Sequence, residues 1–303
     1  MRKSIHLEYL KKGDLVAIVS AAKYITKKDC QFAIKYIKRE GLNIFNLDKT
    51  ILSRKGMFSG SNEERIEMLQ SILDSSKVKA IFFARGGYGT IRIIDKLNFN
   101  KFIKNPKWII GFSDITVFLS HVSKVYNLPT LHSPMPFNFP GTSKKSLKEL
   151  FNLLFGVKNP IKISPNQYNR RGYAKGKLIG GNLSILCSLL NSESFPETKG
   201  NILLIEDVGE YLYSIDRMIY SLKRSGVFKN ISALIIGEFS KTKDNKPAFG
   251  QSINEIIIQS LIEYRFPICF DFPVGHVKNN TPVILSHNVK LKVSSLVELI
   301  YVE

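Results

Sequence analysis

The sequence predicts an α/β protein. A mostly parallel N-terminal sheet of the flavodoxin or Rossmann type, with helices on both faces, precedes a second α/β domain with partly antiparallel strands. Three observations carry this. The first half repeats a strand, loop and helix pattern. Residues 133–171 then lose all period and gather Pro134, Pro136, Pro140, Gly141, Pro160 and Pro165. A second set of apolar runs and helical stretches follows and ends in alternating segments, the mark of hairpin-like strands. The division expected is an N-terminal domain over 1–135, a connection over 136–172 and a C-terminal domain over 173–303.

The elements follow in order. Residues 15–20 are a short apolar strand, and 28–40 a helix with Phe32, Ala33, Tyr36 and Ile37 on one face, stopping at Gly41. Ser61 with Glu64 three residues later reads as a capping box, opening a helix through Ile66, Leu69, Ile72 and Leu73. Residues 78–84 form a buried strand that feeds Arg85-Gly86-Gly87-Tyr88-Gly89-Thr90 into a helix over 91–97. A strand over 108–112 leads through Ser113 into a helix over 115–126. In such sheets ligands bind beyond the carboxyl ends of the strands; the glycine-rich turn and Ser113 both fall there. The connection holds a short helix over 147–154. Beyond it come helices over 182–190, 214–223 and 253–264, strands over 201–206, 233–239 and 268–272, and alternation over 283–285 and 289–302.

Composition limits the function. At 303 residues, with 44% hydrophobic and 23% charged residues, the chain is that of an ordinary globular protein. No apolar run reaches the ~18 residues of a membrane span, and charges at Glu8, Lys11, Lys12 and Asp14 interrupt any signal peptide, so no membrane partner and a cytoplasmic location are expected. Cys30, Cys187 and Cys269 are scattered in apolar contexts, as core thiols are. The formal charge of +19 raises the question of nucleic acid. Before residue 150 there are 26 basic against 12 acidic residues, and after it 18 against 13, yet no stretch interleaves dense basic charge with aromatics. No specific nucleic-acid partner is expected. The absence of His-Glu-x-x-His, Cys-x-x-Cys and EF-hand patterns predicts no metal and no cofactor.

Ser113, where an apolar strand turns helical, is either an N-cap or a nucleophile presented at a helix N-terminus. A serine nucleophile needs a base and an orienting carboxylate. Of five histidines, His6 lies in the N-terminal tail, His121 too far along its helix, His132 at a strand end and His287 in a turn. His276, in Phe272-Pro273-Val274-Gly275-His276, is presented at a loop tip by a rigid proline and a permissive glycine. Carboxylates cluster at Glu206-Asp207, where strand alternation sends the two to opposite faces. The glycine-rich turn fits a phosphate cradle or an oxyanion hole, without the dinucleotide spacing or a P-loop lysine.

Four segments, ARGGYGTIRIIDKL, IIGFSDIT, ILLIEDVGEYLYSIDRMIYSLK and FPVGHVKNN, together resemble the LD-carboxypeptidases, serine peptidases of murein recycling with relatives that confer microcin C immunity. The resemblance implies a site at the interface of two domains, with Ser113 as nucleophile, His276 as general base and Glu206 as its orienting carboxylate. It implies an oxyanion hole from the backbone N–H groups of Gly87 and Asp114, a murein-derived peptide as substrate and a homodimer. Arg85 is the candidate for the substrate carboxylate, with an internal salt bridge as its alternative, and Gly86 and Tyr88 are further substrate-binding candidates. The chain departs from the family at Ser20-Ala21-Ala22, where a Ser-Pro start is usual. An immunity-type peptidase acting on aminoacyl-nucleotide analogues is the alternative within the family. A non-catalytic or nucleic-acid-binding protein on the same fold is the alternative outside it.

Overall fold

The computed structural model describes residues 7–302; His6 lies outside them. The strands are β1 (Leu15–Val19), β2 (Asn43–Ile44), β3 (Arg54–Lys55), β4 (Phe58–Ser59), β5 (Val78–Phe83), β6 (Trp108–Gly111), β7 (Thr130–His132), β8 (Ile161–Ile163), β9 (Gly172–Asn182), β10 (Ile202–Val208), β11 (Ala233–Ser240), β12 (Ile268–Cys269), β13 (Val283–Leu285), β14 (Asn288–Val293) and β15 (Val297–Tyr301). The helices are α1 (Gln31–Arg39), α2 (Asn62–Asp74), α3 (Thr116–Tyr126), α4 (Lys144–Leu154), α5 (Leu183–Ser188), α6 (Leu212–Arg224) and α7 (Ile253–Ser260).

The first sheet has the order β13-β7-β6-β5-β1-β2 and the second β12-β11-β10-β9-β14-β15-β8. Apolar runs such as Leu15–Val19 are buried on both faces and pair in parallel, as a sheet covered by helices requires. The capping box forms: Ser61 Oγ accepts the Glu64 N–H and Glu64 accepts the Ser61 N–H. The expected antiparallel ending is the β14–β15 hairpin, which also pairs antiparallel with β9. Val283–Leu285, by contrast, crosses back and pairs antiparallel with β7 in the first sheet. One continuous apolar core runs from the first sheet through α4 to the inner face of the second.

One further expectation changes, and two strands that the sequence did not mark, β8 and β9, take part. The helix over 91–97 is instead two short 3-10 turns, Thr90–Arg92 and Ile94–Lys96, since Ile91, Ile93 and Ile94 crowd β-branched side chains where helix is disfavoured. The connection over 136–172 contributes α4 and the edge strand β8. β9, eleven residues long and central to the second sheet, has no strand-like pattern in sequence because its glycines break the alternation. They are needed for close approach: at Gly180, with φ of +116°, a Cβ would stand 2.0 Å from the Leu204 carbonyl oxygen.

Gly180→Ala is therefore expected to destabilise the protein by about 2 kcal/mol or more in urea unfolding. Gly13→Ala has a positive φ but open space around it, and should cost only about 1 kcal/mol.

Candidate active site

Each candidate side chain is placed by a backbone irregularity at a sheet end. Ser113 follows β6 with φ of +62°, a left-handed conformation that a serine adopts only at a cost. The N-cap alternative is set aside, since Ser113 makes no capping bond and Phe112 holds the cap position. The turn is tight because Gly111 lies against Ile115, where a Cβ would come within 2.8 Å of its side chain. The 3-10 turn Ser113–Ile115 then enters α3.

The glycine-rich turn after β5 lies alongside. A Cβ on Gly86 would stand 3.2 Å from Ser113 Cβ and 3.4 Å from its hydroxyl, so the missing side chain leaves room at the serine. Thr90 joins the two turns, its N–H donating to Asp114 Oδ2 at 3.1 Å and its hydroxyl to the Asp114 carbonyl at 2.7 Å. Burial raises the Asp114 carboxyl, although hydrogen bonds from Thr90 pull the other way. Arg65, which sequence reasoning did not single out, is wholly buried beneath the turn. It donates to the carbonyls of Ala21 at 2.8 Å and Gly89 at 3.1 Å and stacks on Phe58. At the Ser20-Ala21-Ala22 departure, Ser20 Oγ donates to the Thr50 carbonyl and accepts the Leu52 N–H, and Arg65 donates to the Ala21 carbonyl. Gly87 is an exposed residue, and its N–H donates to no acceptor among the described residues. The Asp114 N–H is one of the donors a helix start leaves without an intrahelical acceptor.

Glu206 sits on β10 where the pairing with β11 slips between Ile205 and Asp207, a bulge that re-aims its side chain. It has no exposed surface, and its Oε2 meets His276 Nδ1 at 2.9 Å. Gly275, at φ of +136°, makes this approach possible, because a Cβ there would stand 3.1 Å from that same oxygen. The His276 ring packs on Phe112 with centroids 4.6 Å apart. Asn280 ties the loop by accepting the Gly275 N–H. Asp207 turns to the other face, as alternation requires, and accepts from Asn182 Nδ2 and the Ser184 N–H at the start of α5.

The structure thus joins Glu206 to His276 and lays His276 against the residue preceding Ser113. The Ser113 hydroxyl itself is hydrogen-bonded to no described residue; such contacts are often open without substrate. A cavity of about 380 Å³ opens beside them, lined by Phe112, Phe137, Lys241, His276, Lys278 and Asn280. Arg85 forms no ion pair within the described chain; it stacks on Phe137 at 4.2 Å and reaches the Tyr24 carbonyl at 3.4 Å. Tyr88 is exposed and packs on Phe58. His121 is bound to Ser194 at 2.9 Å. His132, passed over as a strand end, is fully buried with Nε2 3.7 Å from Glu206 Oε1.

Burial alone would push the Glu206 carboxyl up, but the two imidazoles outweigh it and hold the group well below the carboxylate range, at about 2. Burial first, and then the charge of Glu206, push Asp207 up to about 6 against its hydrogen bonds.

An α/β scaffold with a strained serine at one sheet end and a Glu–His pair at the facing end defines a serine-type hydrolase. The chain belongs to the LD-carboxypeptidase family. Residues 16–133 match the family's N-terminal domain and residues 175–291 its C-terminal domain. It is 31% identical over 273 residues to a probable murein peptide carboxypeptidase of Bacillus subtilis, covering 88% of this chain and 85% of that one. It is 26% identical over 277 residues to the murein tetrapeptide carboxypeptidase of Pseudomonas aeruginosa, covering 88% and 89%. Among solved structures, the muramoyltetrapeptide carboxypeptidase of Oxalobacter formigenes superposes with a TM-score of 0.87 at 27% identity, over 95% of this chain and 99% of that one. The microcin C7 self immunity protein, bound to aspartyl sulfamoyl adenosine, gives 0.86 at 21% identity over 97% and 98%, a likeness of fold.

The lowered Glu206 carboxyl has a sign that can be checked. A carboxylate whose folded value lies below its unfolded one adds stability above the unfolded value and loses it as pH falls through the folded one. Between 4.5 and about 2 wild-type protein should lose stability more steeply than Glu206→Gln in urea titrations. Asp207 acts oppositely: its contribution falls as pH rises from 3.8 through about 6.

Proposed function

We propose that Ser113, His276 and Glu206 are the catalytic triad of a murein tetrapeptide LD-carboxypeptidase, releasing the terminal D-alanine. The observation that carries this is the 2.9 Å contact of His276 Nδ1 with Glu206 Oε2 beside a serine at φ +62°. With Nδ1–H donated to Glu206, Nε2 is left to accept the Ser113 proton as Oγ attacks the amide carbonyl. The oxyanion is met by the N–H groups of Gly87 and Asp114. The imidazolium passes its proton to the departing D-amino acid, and water, deprotonated by the same ring, releases the acyl group and restores the serine. Arg85, whose guanidinium lies 4.2 Å from the centroid of the cavity-lining Phe137 ring, meets the free carboxylate of the substrate. The same reading places the enzyme in the cytoplasm as a homodimer.

Ser113→Ala and His276→Ala should each lower D-alanine release from murein tetrapeptide by on the order of 10³-fold or more, with unchanged folding by circular dichroism. Retained release by Ser113→Ala would sink the triad. An aminoacyl sulfamoyl nucleotide, run in parallel, tests the other substrate class; faster cleavage of it would replace the murein reading. Arg85→Ala should lower kcat/KM by roughly 10- to 100-fold through KM, and the loss should vanish on substrates whose terminal carboxylate is amidated.

A further inference from the structure

His132 ends β7 one strand over from the turn that carries Ser113, and its register partners are Gly111 on β6 and Val283 on β13. Paired on both edges, the strand fixes the direction of the ring. The ring is wholly buried, edge-on to Phe112 with centroids 5.7 Å apart. Its Nε2 lies 3.7 Å from Glu206 Oε1. That oxygen and both ring nitrogens of His132 have no hydrogen-bond partner among the described residues. Buried polar atoms are nearly always paired. Here a donor and an acceptor face each other across a gap that under 1 Å of movement would close to a normal ~2.9 Å bond. The other oxygen of the carboxylate, Oε2, is already taken by His276.

We propose that His132 is a positioning residue for the triad. Its Nε2–H donates to Oε1 of Glu206 during turnover, so the carboxylate is clamped between the His132 imidazole from the first sheet and the His276 imidazole from the loop after β12, and Oε2 stays on His276. This rests on the triad assigned above. The titratable groups that meet Glu206 are His276 and His132, while Asp207 is turned to the opposite face by Asn182 and Ser184. With two donors sharing its charge, less of the carboxylate's pull falls on the imidazolium that forms at His276. Removing the His132 donor returns that pull, so the imidazolium persists to higher pH. The freed carboxylate also holds the base less firmly. His132 has no exposed surface and does not reach substrate, so the effect falls on kcat.

The test compares His132→Phe and His132→Gln with wild type in D-alanine release between about pH 5 and 9, with Ser113→Ala alongside. His132→Phe is expected to lower kcat on the order of tenfold with KM within about twofold, and to move the acidic limb of kcat/KM to higher pH. His132→Gln, whose amide can donate, recovers most of both. A packing role alone lowers Tm and leaves the limb in place. A folded His132→Phe with wild-type kcat and limb overturns the proposal. Activity in Ser113→Ala removes instead the triad it rests on. Should His132→Phe not fold, the ¹⁵N resonance of His132 Nε2 decides: it shifts in Glu206→Gln if the contact exists, and an unchanged resonance overturns it.

Discussion

A carboxylate without solvent-exposed surface costs several kcal/mol unless other groups meet its charge, and Glu206 is such a carboxylate. Its compensation comes from two sides. His276 approaches on a loop of the second unit, which the bulge at Glu206 and the left-handed Gly275 bring within hydrogen-bonding distance. His132 approaches from the first sheet. The charge can be tolerated only where the two sheets meet, so the arrangement of the halves and the ionisation of one side chain depend on each other. The return of Val283–Leu285 to the edge of the first sheet, straight after the loop bearing His276, ties that loop to both halves.

The serine side is built from backbone strain and braces. Ser113 at a left-handed φ must be held by its surroundings. The structure supplies the packing of Ile115 against Gly111 and the two bonds from Thr90 to Asp114. Arg65 anchors the neighbouring turn through carbonyls on both of its flanks. Glycines at 86, 87 and 89 answer to particular neighbours, since a Cβ at each would meet Ser113, Lys23 or Arg65. The close approach to this turn is thus made by the protein's own side chains.

Much of this was legible in the chain. Apolar runs at β1, β5 and β6 and the Ser61–Glu64 box carry local signals, so the centre of the first sheet was readable, whereas β2 was not marked and Val283–Leu285 was expected among the closing strands of the second domain. Glu206 and Asp207 were separable by strand alternation, and the structure turns them to different partners. His276 stood out because Pro273 and Gly275 frame it. Less readable were features whose cause lies far away in sequence. β9 carries glycines because β10 and Thr116 press on it. Arg65 looks like one more charged residue on the face of α2, and nothing local says that it is buried. His132 reads as a polar strand end, and only the approach of β10 from the other half gives its ring a partner.

By itself the sequence determined the α/β class, the order of most elements and which residue types could supply a nucleophile, a base and a carboxylate. These follow from periodicity, caps and turn chemistry, which act over a few residues. Tertiary structure alone decided that Glu206 is wholly buried, that it meets His276 at 2.9 Å and lies near a second imidazole, and that Ser113 adopts a left-handed backbone rather than a cap. The Glu206–His276 pair joins groups 70 positions apart in the chain and the braces of the Ser113 turn include groups 24 positions apart, and no local pattern encodes the geometry in which such groups meet.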